Sequence, residues 1–175
     1  DSEMEICLMS ALIACRNEEY FPLEAIAEEY IKWYKSEPFD IGQTTAYALI
    51  DANNASDMLT NADEYNKTSE SNGALMRCIP LAVFGMNKDN ETIMNMAKLD
   101  NELTHPNKLV SEITGIYCVI ISDMLVKQIN NQEINIDTII LSVSNLITNK
   151  HILDWFIIGR KLTNLNKYDC IKNEG

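Results

Sequence analysis

The stretch PNKLVSEITGIYCVIISDML, residues 106–125, decides the fold class. Within it Leu109, Ile113, Ile116, Tyr117, Ile120, Ile121, Met124 and Leu125 recur at three- and four-residue spacing, which places them on one helical stripe. The stripe is wide enough for a central helix buried on much of its circumference. Pro106 opens it, at a position whose N–H is not needed. The same period continues on both sides. Towards the N-terminus it predicts helices over 91–99 (Ile93, Met94, Met96, Ala97), over 44–52, from Pro22 (Leu23, Ile26, Ala27, Tyr30, Ile31, Tyr34) and over 4–14 (Met4, Cys7, Leu8, Ala11, Leu12, Cys15). Ser36-Glu37-Pro38 ends the second of these in chain order. Residues 73–84 are a buried apolar segment that Pro80 kinks or splits. The polar, Asn-rich residues 53–72 show no sustained period and read as a surface loop or a loop with a turn. Towards the C-terminus two helices are expected near 136–148 and 151–162, with strand propensity as an alternative at Thr138-Ile139-Ile140-Leu141. Hairpin signals are missing, so the class is all-α, with residues 1–175 forming one domain.

Composition narrows the function. With 46% apolar and 23% charged residues the chain can build a core. A net charge of −12, with Lys and Arg scattered, excludes a nucleic-acid partner held by a basic stripe. A phosphate-bearing ligand would have to be held by backbone N–H groups, helix N-termini or metal ions. Cys7, Cys15, Cys78, Cys118 and Cys170 are odd in number and widely spaced, which reads as buried thiols in a reducing, cytoplasmic setting. No signal peptide or membrane-length apolar run is read, so a membrane is not an expected partner and the N-x-S/T triplets at Asn54, Asn66 and Asn90 are incidental. Asp1 leads straight into a periodic segment without an initiator methionine, which suggests a fragment.

Four short constellations stand outside the periodicity. Asp1-Ser2-Glu3-Met4-Glu5 gathers carboxylates and a hydroxyl at a helix mouth, where they serve either as a cap or as oxygen ligands for Mg²⁺. Pro38 to Thr45 sets Asp40 and Gly42 in a tight loop before a helix whose first turn is rich in hydroxyls, again a cap or a site. Ser71-Asn72-Gly73 forms a donor-rich turn ahead of a helix, and Arg77 beyond it is suited to pairing with a carboxylate. In Leu103-Thr104-His105-Pro106 the proline holds the histidine extended at a helix mouth, where it faces a ligand or is simply a satisfied polar residue. His151 stands alone and reads as the latter.

In order along the chain, D-S-E-M (1–4), P-F-D-I-G-Q-T-T (38–45), S-N-G-A-L-M-R-C-I-P-L-A-V-F (71–84) and L-T-H-P-N (103–107) closely resemble the ADP-ribosylglycohydrolase family, which includes the dinitrogenase reductase-activating glycohydrolases. The match runs to about Leu125. The resemblance implies an orthogonal all-α bundle with two Mg²⁺ ions in a cleft. It implies hydrolysis at the anomeric carbon of the terminal ribose, releasing ADP-ribose from a modified protein or a small ADP-ribosyl conjugate. Carried over position by position, Asp1 matches the last Asp of the family's Thr-Asp-Asp-Thr/Ser metal signature, and Asp40 falls where a carboxylate transfers a proton or positions the ribose, with Gly42 in the same loop. Ser71, Asn72 and Gly73 match the loop that holds diphosphate and ribose, although the family often has glycine in place of Ser71. His105 matches a histidine near the bound ADP-ribose, and Arg77 is assigned to structure. The family's Gly-Asp-x-Asp-Thr signature has no counterpart in these 175 residues. The expectation is therefore a partial domain with one matched metal ligand that does not turn over substrate by itself, and the alternative is a catalytically inactive ADP-ribose binder on the same fold.

Overall fold

The computed structural model describes residues 2–162, and among them every regular element is helical. In chain order the helices are α1 (Ser2–Ala14), α2 (Leu23–Lys35), α3 (Gln43–Leu49), α4 (Ala55–Tyr65), α5 (Gly73–Arg77), α6 (Ile79–Phe84), α7 (Asn90–Glu102), α8 (Lys108–Ile129), α9 (Ile136–Val143) and α10 (Lys150–Leu162), with a 3-10 turn at Ser144–Leu146. The stretch that decides the class forms α8, the axis of the bundle. α7 packs along it most extensively, α6, α5 and α9 take other parts of its surface, and α1 joins α2 to α6. Val110, Thr114, Ile116, Cys118, Val119 and Ser122 are buried on it.

One glycine sets how closely the two long helices approach. A methyl at Gly115 would lie 2.7 Å from Met94 Sδ and 3.4 Å from Met94 Cα, so an alanine would displace the Met94 thioether and only a larger side chain would press on the α7 backbone. By length and composition α8 could cross a membrane, which corrects the expectation that no apolar run is long enough. Its packing against four other helices makes it the core helix instead.

The polar stretch 53–72 is only partly a loop, because α4 occupies its middle. Ala55, Met58, Leu59 and Ala62 follow helical spacing and pack inward, while the Asn54 side chain accepts from Asp57 N at 2.9 Å and the Glu24 carboxylate accepts from Ala55 N at 3.2 Å. Of the asparagines that suggested a loop, Asn54 caps this helix, Asn61 donates to the carbonyls of Ala48 and Ile50, and Asn66 is buried at its end. α3 stops at Leu49, short of the expected 52, and Asp51 follows in the left-handed region at φ 54°. Pro80 does split its segment, at Cys78. The strand alternative at 138–141 gives way to helix α9, whose N-terminus is capped by Asn135. Cys78 and Cys118 are buried free thiols and Cys7 and Cys15 are half-buried, whereas Cys170 lies outside the described residues. The Cys118 thiol is pushed well up by hydrogen bonding with Cys78 and by burial, so it stays protonated.

Candidate functional site

The site is built on a buried ion pair. Arg77, at the end of α5, is fully buried and donates from Nε to Asp100 Oδ2 at 3.1 Å and from Nη2 to the Asp100 carbonyl at 3.0 Å. Tyr30 on α2 donates its hydroxyl to Asp100 Oδ1 at 2.8 Å, and its ring lies 4.7 Å from the Arg77 guanidinium carbon. The Asp100 carboxylate thus fastens α2, α5 and α7 at one point. Burial works against the Arg77 charge, but Asp100 and the Tyr30 oxygen more than offset this and raise its pKa. Burial also raises the Tyr30 phenol well above its usual range, so it remains a donor. Arg77 Nη1 and both polar atoms of the buried Asn101 side chain have no hydrogen-bond partner among the described residues.

Asn101 leads directly to the next layer. Its carbonyl accepts from Thr104 N at 3.0 Å and from His105 N at 2.6 Å, which turns the chain inward before Pro106. Thr104 and His105 are both buried. His105 Nδ1 lies 2.7 Å from Thr104 Oγ1, and Nε2 lies 3.0 Å from Ser71 Oγ. From Ser71 the contacts close into a ring: Ser71 Oγ donates to Thr44 Oγ1 at 3.1 Å, Thr44 Oγ1 is 3.0 Å from Ser69 Oγ, and Ser69 Oγ donates to Ser71 at 3.2 Å. Asn66 holds the floor, donating to the carbonyls of Thr44 (2.7 Å) and Thr104 (3.0 Å). Gly73 fits against the imidazole; a methyl there would sit 2.9 Å from His105 Cε1 and 3.0 Å from Nε2. Three sequence-distant segments, the start of α3, the turn before α5 and the Thr104-His105-Pro106 bend, therefore meet in one hydroxyl–histidine cluster.

The sequence-predicted site residues divide accordingly. Ser71, Gly73 and His105 lie in the cluster. Asn72 is exposed beside it and forms no side-chain cap on α5. Asp40 and Gly42 are exposed in the loop before α3, and no hydrogen bond or ion pair among the described residues ties Asp40 to the cluster. Asp1 lies outside the described residues. Of the two roles open to His105 at a helix mouth, its burial favours a satisfied polar residue, because the two backbone bonds to Asn101 fold it inward. Sequence reasoning gave no site role to Asn66, Ser69, Thr104 or Tyr30, although Thr104 stood in the constellation of His105 and Tyr30 on a core stripe, and it passed over Asp100. Asp100 did carry a signal: it follows Ile93, Met96 and Ala97 on the buried stripe of α7, where a carboxylate requires a partner.

The resemblance implies a pair of Mg²⁺ ions held by oxygen donors. No group of three or more His, Cys, Asp or Glu side chains that could hold a metal converges among the described residues. The Glu3 carboxylate, nearest in sequence to the family's metal signature, accepts from Trp33 Nε1 at 2.7 Å. The described residues do not fit the ion pair. A groove of about 870 Å³ runs between α4, α7 and α8 and is bordered by Lys67 and Pro106, sequence neighbours of Asn66 and His105.

Residues 1–169 match the sequence profile of ADP-ribosylglycohydrolase. The chain belongs to the ADP-ribosylglycohydrolase family. A candidate ADP-ribosyl glycohydrolase of Acanthamoeba polyphaga mimivirus is 35% identical over 122 residues, covering 67% of this chain and 36% of the viral protein. The chain thus spans little more than a third of that relative's length. The all-α fold is the one the family resemblance implies.

Burial, and then the Arg77 guanidinium, lower the His105 pKa from its usual 6.5 to about 3. The native state therefore keeps the ring neutral while the unfolded chain protonates near pH 6.5. Its contribution to stability is complete above pH 6.5 and is lost as pH falls towards 3, at up to about 1.4 kcal/mol per pH unit. Urea unfolding between pH 7 and 4 should accordingly show a shallower decline for His105→Gln than for the parent protein; parallel curves would mean that His105 titrates normally.

Proposed function

We propose that this chain is the ADP-ribose-holding portion of a hydrolase that removes ADP-ribose from modified protein side chains or related conjugates. The observation that carries the reading is the convergence of Thr44, Ser71, Gly73 and His105, drawn from three of the four segments that resemble the family, onto one cluster completed by Ser69. A chain of net charge −12 has no positive field for a diphosphate, so polar groups fixed in place must do that work. The neutral buried ring of His105 adds no charge, and the hydroxyl ring holds the turn at 69–73 against α3. Asn72 and the turn's backbone are then the groups turned towards the sugar and diphosphate, with Asp40, exposed in the adjacent loop, as the carboxylate for proton transfer or ribose positioning.

In this reading the bond broken is the N- or O-glycosidic bond at the anomeric carbon, with water as nucleophile. Positive charge develops on the sugar as the bond breaks, and a nearby carboxylate stabilises it. Magnesium belongs to the proposal only through the family resemblance, and no step is assigned to it, because the described donors do not fit it. The second reading is ADP-ribose binding without turnover on the same fold.

The test is a thermal-shift titration of the 175-residue chain with ADP-ribose, with and without Mg²⁺, beside a release assay on ADP-ribosyl-arginine and ADP-ribosyl-serine peptides. At a hundred times Kd a native-state ligand adds about 2.7 kcal/mol, which for a chain of this size raises Tm by about 5–10 °C. A shift without release supports the binding part of the proposal and the second reading. The absence of any shift would remove the cluster from ADP-ribose recognition.

A further inference from the structure

The hydroxyl–histidine cluster permits a count of protons. Thr104 Oγ1 is buried, and its hydrogen-bond partner is His105 Nδ1 at 2.7 Å. A buried hydroxyl that donates to nothing is costly, so the Thr104 proton goes to Nδ1. A neutral imidazole that accepts at Nδ1 carries its own hydrogen on Nε2. That N–H, 3.0 Å from Ser71 Oγ, donates to the serine. Ser71 Oγ then accepts from His105 and from Ser69 and donates to Thr44, which uses both lone pairs and its proton. Thr44 in turn donates to Ser69, and Ser69 also accepts from Ser71 N at 3.4 Å. The hydroxyls run in one direction around the ring, and every donor within it has an acceptor. The opposite tautomer breaks this pattern. It leaves the Thr104 proton without an acceptor among the described residues and withdraws the Ser71 proton from Thr44.

We infer that His105 is a positioning residue that acts through Ser71: as the neutral Nε2–H tautomer it sets the direction of the Thr44–Ser69–Ser71 ring and locks the Ser71-Asn72-Gly73 turn onto α3. Neither the imidazole nor the saturated Ser71 hydroxyl contacts the ligand. The inference rests on the reading that this turn holds ADP-ribose. It gives the serine a purpose where glycine is frequent in the family, since glycine could not receive the histidine's hydrogen bond. The packing of Gly73 against Cε1 and Nε2 keeps the ring in place from the other side.

The tautomer can be read without ligand, by long-range proton–nitrogen NMR correlation on protein carrying ¹⁵N-histidine, with the exposed His151 assigned through His151→Gln. The Nε2–H pattern is expected for His105 at neutral pH; the Nδ1–H or doubly protonated pattern overturns the inference. ADP-ribose titration then separates the two nitrogens. His105→Gln, whose amide N–H reaches the Nε2 position, should bind within about threefold of the parent, whereas the shorter His105→Asn should lose about tenfold. Equal losses in both would show that the Nε2 donor is not what matters. If ADP-ribose fails to bind the parent while the Nε2–H pattern is seen, the functional reading fails and the tautomer assignment stands.

Discussion

Arg77→Ala should cost about 3–5 kcal/mol of folding free energy, because it leaves the Asp100 carboxylate buried and without its cation. The loss exceeds that of an ordinary side-chain truncation, since the guanidinium also covers the Tyr30 ring and donates to the Asp100 carbonyl. Asp100→Ala should be comparably severe, now stranding the guanidinium. Replacing both together, Arg77→Met with Asp100→Leu, should recover most of the loss, as apolar replacement of a whole buried pair commonly does. Urea unfolding of the three variants decides it: a shifted midpoint with unchanged slope reads as stability. If the double variant were no more stable than the singles, the three helices would depend on this ion pair for more than charge compensation.

Gly73 should show the largest effect on binding. A Cβ there meets Cε1 and Nε2 of an imidazole held at both nitrogens, so the ring cannot swing aside and the turn must move instead. Gly73→Ala is expected to weaken ADP-ribose binding about tenfold, and Gly73→Val to weaken it about a hundredfold, the penalty that an ångström-scale misplacement commonly carries. Overpacking should add a stability cost of about 1–3 kcal/mol. Calorimetric titration with ADP-ribose, alongside helical circular dichroism, separates the two losses. A Gly73→Val protein that folds and binds like the parent would take this turn out of the site.

The bundle was legible where burial imposes a period. α2 shows it most cleanly, with Ile26, Ala27, Tyr30 and Ile31 buried, whereas the buried faces of α8 and α7 keep the period but also carry Thr114 and Ser122, and Asp100 and Asn101. α4 was hidden because its inward residues, Ala55, Met58, Leu59 and Ala62, are diluted by the capping Asn54, by Asn61 bonded to neighbouring carbonyls and by the acids of the outer face. The candidate site was legible where the local sequence restricts the backbone: Gly73 in its Ser-Asn-Gly turn, and His105 before a proline. Its connecting hydroxyls were not. Ser69, Thr104 and Asn66 are short polar residues whose importance depends on a partner 25 to 38 positions away or on the turn of one bend, and no local pattern records that. Asp100 lies between these cases, visible as a carboxylate on a core stripe but silent about which cation answers it.

Gly115 touches neither the cluster nor any candidate ligand contact, yet α7 rests on it, and α7 runs straight into Asn101, Thr104 and His105. A swing of α7 away from α8 would carry the imidazole with it. Mutational tolerance in this chain therefore does not fall off smoothly with distance from the ligand. The exposed Asp40 could be exchanged with less disturbance to the bundle than a bulky side chain at Gly115 would cause, and a lineage drifting in sequence would find such a change blocked at a residue that has no side chain.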